Sequence, residues 1–214
     1  IDMLEQPNGQ WVAVSTSSVG GQPILALTRL TADGPSPTPT PPTPLQIGLD
    51  GRYGANGLAQ LPGTSPVRDT AIQPDGKVVV LQQDVNAAVL TRWNVNGQLD
   101  LTFGNYGILR YTVPVTDSSQ VLVAAVGSLS NNHLAIAFAR RLPGSDQQRY
   151  FVSRLPTLNY GIVRIDATFG VNGEAEAVTL TRPTAPSELP TFRSLTARAD
   201  QGWTLTLDDQ ILPL

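Results

Sequence analysis

Apolar residues in this chain come in short runs, with no helical spacing. Trp11 to Val14, Val78 to Leu81, Ala88 to Trp93, Leu134 to Ala137 and Trp203 to Leu207 are each a strand's length, and most are rich in β-branched residues. Turn-forming clusters separate them, Pro74-Asp75-Gly76 and Asn96-Gly97 among them, where Gly and Asn supply the positive φ that closes a tight hairpin. From Ile72 to Val113 the alternation of turn and run reads as one small antiparallel sheet. Extended along the chain, the pattern predicts strands at Met3–Gln6, Trp11–Ser15, Ile24–Leu30 and Leu58–Leu61. It then predicts Val67–Ile72, Lys77–Gln82, Ala88–Asn94 and Ile108–Val113, followed by Val121–Val126, Leu134–Ala139, Tyr150–Leu155 and Glu174–Leu180. Phe192–Ala197 and Trp203–Leu207 come last.

These strands belong to a repeat. One landmark is a strand ending in arginine: Leu27-Thr28-Arg29-Leu30, Leu90-Thr91-Arg92-Trp93 and Val152-Ser153-Arg154-Leu155, with the arginines 63 and 62 residues apart. A second is Leu49-Asp50-Gly51-Arg52-Tyr53-Gly54, Leu99-Asp100-Leu101-Thr102-Phe103-Gly104 and Ile165-Asp166-Ala167-Thr168-Phe169-Gly170. A third is the turn and apolar strand beginning at Gly9, Gly76, Asn132 and Gly202. Four strands per unit at a spacing of roughly 60 residues predicts an all-β fold of antiparallel four-stranded blades, β-propeller-like. The units run over about 1–62, 63–115, 116–182 and a partial 183–214. The count is about three and a half blades, which predicts a propeller that is incomplete or completed by another chain.

These segments resemble the delta-60 type repeat of bacterial surface and secreted proteins. Its pattern runs QPDGK, an apolar strand, a strand ending in Arg-aromatic, a DG turn and then LD-x-x-FG-x-x-G; residues 72–107 match it almost throughout. The first unit departs at Gly51 to Tyr53, where Tyr replaces Phe, and the third at Pro156 to Gly161, where the Asp-Gly turn is lost. The resemblance implies a β-propeller-like fold and an extracellular or cell-surface location.

Composition narrows the function. The chain has 214 residues, 41% of them hydrophobic and 14% charged, so it can bury a core. A net charge of −3 speaks against a nucleic-acid partner, which requires clustered Lys and Arg. No apolar stretch approaches the roughly 18 residues of a membrane-spanning helix. With no cysteine, disulfides and thiolate chemistry are excluded. The start at Ile1 reads as a processed form or a fragment. Residues 35–44, PSPTPTPPTP, cannot join a sheet, because proline lacks the backbone donor and fixes φ. Pro35, Pro37, Pro39, Pro41, Pro42 and Pro44 therefore mark an inserted loop: a stiff spacer, or a candidate partner-binding segment.

Candidate chemistry is sparse. His133 is the only histidine; it reads as an exposed structural residue at a strand start, and alone it makes no multi-histidine metal site. Asp50, Asp100 and Asp166 recur with the repeat; Asp100-Leu101-Thr102-Phe103 lacks the alternating oxygens of a calcium loop. A side chain present in every unit reads as fold glue, since an active site is needed once. The same reasoning applies to Arg29, Arg92 and Arg154, and predicts ion pairs of Arg29 with Asp50, Arg92 with Asp100 and Arg154 with Asp166. Tyr53, Phe103 and Phe169 read as core anchors of their blades, and Trp11, Trp93 and Trp203 as packing residues. No catalytic, cofactor-binding or metal-binding residue is assigned, and no cofactor is expected.

The reading that follows is a non-catalytic extracellular module for adhesion, ligand binding or assembly. Its partners are a protein or further copies of the chain at open sheet edges, Ile1–Gln6 and Trp203–Leu207, with a glycan as the other ligand class. One alternative is a carbohydrate-active enzyme using two of Glu5, Glu174, Glu176, Glu188, Asp208 and Asp209. Another is a piece of a larger filament-associated structural protein.

Overall fold

Among the residues described in a computed structural model of the chain there are sixteen strands and no helix. Those residues are 2–32, 47–63, 65–85, 87–113, 120–128, 133–141, 147–155, 166–171, 174–181, 192–198, 203–207 and 210–213. The proline-rich loop 35–44, the Pro156–Gly161 departure, Glu188, Asp208 and Asp209 lie outside them.

The strands form four antiparallel sheets in chain order. The first holds β1 (Asp2–Glu5), β2 (Trp11–Val19), β3 (Gln22–Ala32), β4 (Ile47–Leu49) and β5 (Leu58–Pro62). The second holds β6 (Val67–Ile72), β7 (Val78–Asp84), β8 (Ala87–Trp93) and β9 (Ile108–Thr112). The third holds β10 (Gln120–Ser128), β11 (Leu134–Arg141), β12 (Gln147–Leu155) and β13 (Glu174–Thr181). The last holds β14 (Phe192–Ala197), β15 (Trp203–Leu207) and β16 (Gln210–Pro213).

Two strands lie outside the sequence pattern. Ile47–Leu49 pairs with Leu30–Ala32 because β3 runs past its apolar stretch, so β4 and β5 together fill the fourth-strand place of the first sheet. Gln210–Pro213 pairs with β15 and gives the last sheet three strands. The expected edge at Trp203–Leu207 is therefore wrong: β15 lies between two neighbours, and β16 is the edge. Nor is the Ile1–Gln6 edge special, since the first strand of every sheet pairs on one side only.

First strands lie beside first strands, β1 with β6, β6 with β10 and β10 with β14, so the sheets fan out from this line and stack face on face. Side chains alternate along each strand, so each sheet has one face toward its predecessor and one toward its successor. Val12, Val14, Leu25 and Leu27 of the first sheet pack on Val78, Val80 and Trp93 of the second. Val79, Leu81 and Leu90 of the second pack on Leu134, Ile136 and Phe138 of the third, whose ring stacks on Phe151 with centroids 5.5 Å apart. Ala135, Ala137 and Val152 of the third pack on Trp203, Leu205 and Leu207 of the fourth. The core is thus three layers between four sheets, which explains why the first halves of β7 and β11 read as almost continuous apolar runs.

Small residues in the third sheet make room for a large one in the fourth. A Cβ on Gly127 would stand 2.4 Å from the buried Trp203 ring and 2.7 Å from the Leu195 carbonyl oxygen. Gly127→Ala is expected to cost about 1–3 kcal/mol, read as a lower denaturant midpoint at unchanged slope. Unchanged stability would show that the last sheet does not seat on the third in this way.

Candidate functional site

The connection before the last strand is built the same way in each of the first three sheets. Arg29 Nε donates to Asp50 Oδ2 at 2.9 Å, Arg92 Nε to Asp100 Oδ2 at 2.8 Å and Arg154 Nε to Asp166 Oδ2 at 2.8 Å. The other carboxylate oxygen caps the loop backbone, accepting the amide of Arg52 at 3.0 Å, of Thr102 at 3.1 Å and of Thr168 at 3.0 Å. Each guanidinium also lies over the ring three residues past its aspartate: Tyr53 at 5.1 Å, Phe103 at 4.5 Å and Phe169 at 5.1 Å. Backbone bonds close the unit, with the Tyr53, Phe103 and Phe169 amides each donating at 2.9 Å to the carbonyl of the unit's aspartate. The glycine after the ring is required: a Cβ on Gly54, Gly104 or Gly170 would sit 2.1–2.4 Å from a carbonyl oxygen of the strand that follows.

The three clamps differ in depth. Arg92 and Asp100 expose 3% and 4% of their side chains, Arg154 and Asp166 25% and 19%. Tyr53 and Phe103 are fully buried, whereas Phe169 is half-buried. Lys77 adds a second cation to Asp100 at 3.1 Å. Burial alone would push the Asp100 carboxyl up, but the Thr102 hydroxyl, Lys77, Arg92 and the Thr102 amide outweigh it and hold it at about 2. The Arg52 amide, then Arg29, holds Asp50 below the ordinary carboxylate range, and the Thr168 hydroxyl, then Arg154, does so for Asp166.

A second recurrence links neighbouring sheets. Asp2 on β1 accepts from the Thr70 hydroxyl of β6, and Asp69 on β6 accepts from the Val126 amide of β10 at 2.8 Å. The two aspartates hold the same place in their sheets, and so do Thr70 and Val126. Burial pushes Asp69 up to about 6, against the pull of the Val126 and Thr70 amides, and the charge of Asp2 adds to the rise. The sequence carried this signal, unread, as Asp2-x-x-x-Gln6-Pro7-x-Gly9 and Asp69-x-x-x-Gln73-Pro74-x-Gly76. Also unforeseen is the network around Arg140. It donates to both oxygens of Glu174 at 2.7 and 2.8 Å and lies 4.5 Å over Phe151, while the Tyr111 hydroxyl of the second sheet reaches Glu174 and Ser153 at 3.3 Å.

Three of the candidate carboxylates of a glycosidase are among the described residues. Glu174 is held by Arg140 and Glu176 by Arg149, and Glu5 is exposed on β1. Among the described residues no three of His, Asp and Glu come together as a metal site. His133 is half-buried rather than exposed, at the position that Gln10 and Lys77 hold before the second strand of their sheets. Trp93 and Trp203 are buried, and Trp11 is exposed.

The loops that the clamps hold carry different tips. The second loop exposes Leu101 and Tyr106, the third Val171, and the first Gly51, Arg52, Ala55 and Asn56. Tyr106 and Asn56 occupy equivalent places in the left-handed region, with φ of 51° and 55°. Asparagine tolerates that conformation readily; an exposed tyrosine there is unusual.

A family model described as "Domain of unknown function (DUF5122) beta-propeller" matches residues 6–34. Among solved structures, one titled "Streptogramin B lyase structure" is similar at 13% identity and a TM-score of 0.35, over 98% of this chain and 66% of that chain, a likeness too slight to carry any property across. No curated protein matches. The sheets and the family model together define an all-β, propeller-type domain, open among the described residues. None of its helices is long and apolar enough to cross a membrane, there being none among the described residues.

Two tests follow from the clamp and the latch. Arg92→Met strands a buried carboxylate and is expected to cost about 3–5 kcal/mol by urea titration, with a smaller loss for Arg154→Met. Equal losses would contradict the difference in depth. In acid, Asp100 is depressed in the folded state, so its contribution holds above the unfolded value of about 3.9 and disappears as pH falls through about 2. Asp69 runs the other way: its contribution is full below about 3.9 and is lost as pH rises through about 6. Asp69→Asn is therefore expected to flatten the decline in melting temperature between about pH 4 and 6. A mutant profile that overlays the wild type would rule out the buried titration.

Proposed function

We propose that the chain is a non-catalytic binding module that displays variable loop tips on a fixed frame, acting outside the cell as the delta-60 type repeats it resembles imply. The observation that carries this is the contrast within each loop. Arginine, aspartate and aromatic ring recur and are turned inward, while the position after the aspartate (Gly51, Leu101, Ala167) and the position after the glycine (Ala55, Asn105, Val171) differ and face solvent. Catalysis would call for the reverse, a group that occurs once, sits in a cleft and keeps its chemistry free. Here the recurring charges are occupied in holding the loops, and Glu174 and Glu176 are each matched by an arginine.

Tyr106 is the best single contact residue. An L-residue at its φ costs about 1–2 kcal/mol, and its ring is exposed, so packing does not repay that cost. A tyrosine kept in a place suited to asparagine, in the same loop as exposed Leu101, fits a hot spot for a protein surface or for the apolar face of a sugar ring.

Tyr106→Asn is expected to raise stability by about 0.5–1 kcal/mol. It should also weaken, by about tenfold or more, binding of whichever ligand the wild-type chain retains from a panel of polysaccharides and bacterial surface proteins, titrated by calorimetry. The ligand should be recovered chemically unchanged. Turnover of a glycoside in that panel, abolished by Glu174→Gln, would instead establish the carbohydrate-active reading.

A further inference from the structure

The interfaces between sheets are not filled alike. Between the second and third sheets, Tyr111 reaches across from its place opposite Ala88, and Phe138 and Phe151 meet it from β11 and β12. Its ring lies 6.5 Å from that of Phe138, and its hydroxyl reaches Ser153 Oγ and Glu174 Oε1, each at 3.3 Å. Tyr111 and Phe151 are each 6% exposed, and Phe138 and Ser153 are wholly buried.

Between the first and second sheets the same places hold no ring. Counted from the recurring landmarks, Leu61 stands where Tyr111 does, but opposite Leu25. Gln82 and Val89 stand where Phe138 and Phe151 do, and Thr91 and Ile108 where Ser153 and Glu174 do. These five residues line a cleft of about 240 Å³. Leu61 and Val89 are only half-buried beside it, and Ile108 is 36% exposed. Gln82 and Thr91 are each 1% exposed. Thr91 Oγ1 accepts from Trp93 Nε1 at 3.1 Å, and Gln82 Nε2 donates to the Ser65 carbonyl. The Thr91 hydroxyl proton and the Gln82 carboxamide oxygen are thereby left without a partner among the described residues. Asp84 and Arg110, both half exposed, pair with each other at the rim.

We propose that this cleft binds a small phenol, a single ring carrying one hydroxyl. The inference goes beyond the loop-tip reading and stands without it. The choice of occupant rests on the neighbouring interface, where the same strand frame closes around a phenol ring that the chain itself supplies. Leu61, Val89 and Ile108 offer apolar walls to a ring. A hydroxyl both accepts and donates, which matches the free proton of Thr91 and the free oxygen of Gln82 together. A purely apolar occupant would bury those two groups unpaired, at a cost. An apolar cavity of about 150 Å³ takes one benzene ring, so this cleft takes a ring with its hydroxyl and a further small substituent. Asp84 and Arg110 neutralise each other, so the rim favours neither an anion nor a cation.

The test titrates 4-methylphenol, the tyrosine side chain as a free molecule, into the full chain and follows backbone amide shifts by NMR. Saturable shifts are expected at Leu61, Val89, Thr91 and Ile108, with a Kd on the order of 1 mM, the affinity that a ligand of this size supplies. Toluene, which has the same shape without the hydroxyl, should shift those amides by about a tenth as much at equal concentration. Leu61→Tyr supplies the ring from the chain, as Tyr111 does, and should abolish binding of 4-methylphenol. Leu25 is larger than Ala88, so if Leu61→Tyr fails to fold, Val89→Phe decides: it fills the wall as Phe151 does, and lost binding supports the proposal while retained binding overturns it. Shifts that do not saturate or that fall only on other residues, toluene binding as well as 4-methylphenol, or a folded Leu61→Tyr chain that still binds would each overturn it.

Discussion

A guanidinium held between a carboxylate and an aromatic ring is the contact on which the rest of this structure depends. Arg29, Arg92 and Arg154 sit in the last few paired residues of third strands, next to the loop that turns and brings the chain back antiparallel. An open loop could do this only by exposing its backbone. The aspartate removes that difficulty by receiving the arginine on one oxygen and a loop amide on the other, and the ring beneath the arginine excludes water from both. Charge is desolvated here at a cost, but every partner needed to offset it is supplied by one short segment. In the first sheet the same device reaches across: Arg29 donates to the Val95 carbonyl of the second sheet at 2.8 Å, so loop closure and sheet stacking are joined.

From that constraint follows a division of labour along the repeat. Strand interiors supply the three apolar layers, and the sheets differ in how they fill them: β-branched and leucine side chains between the first two, aromatic rings between the second and third, alanines against Trp203 at the end. The layers can vary in this way because the clamps and the Asp2 and Asp69 latches set the spacing between sheets independently of the side chains that fill it. Loop tips vary for the same reason. The residues that the frame leaves exposed include Leu101, Tyr106 and Val171 at the tips.

Much of the fold was legible because the repeat is. A residue that returns every sixty positions with the same neighbours reports a contact inside the unit, and the arginines and aspartates stand at hydrogen-bonding distance in all three. Contacts between units are harder to read. Asp69 meets Val126 through its backbone amide, which leaves no mark on the identity of residue 126, and the third sheet has Ala125 where a latch would stand. Strand β16 escaped because Gln210-Ile211-Leu212-Pro213 is short and ends in proline, which is tolerated only at an edge. The exposed Trp11 was hidden because nothing in its own strand distinguishes it from Val78 or Trp203. Exposure there is decided by what the neighbouring sheet does, and no local pattern encodes that.

Backbone protection at the three loops tests the clamp most directly, because it reports the loops themselves and not the stability of the whole. Hydrogen exchange, resolved to single amides, compares Asp50 and Tyr53, Asp100 and Phe103, and Asp166 and Phe169, whose amides bond to the carbonyls of Arg29 and Asp50, Arg92 and Asp100, and Arg154 and Asp166. If the clamps organise the fold, the Asp100 and Phe103 amides will exchange nearly as slowly as those of β7, which requires global opening, and protection will be weakest at Asp166 and Phe169. If all six exchange at the rate of exposed loop amides while the strands remain protected, the loops are passengers on the sheets and the account fails.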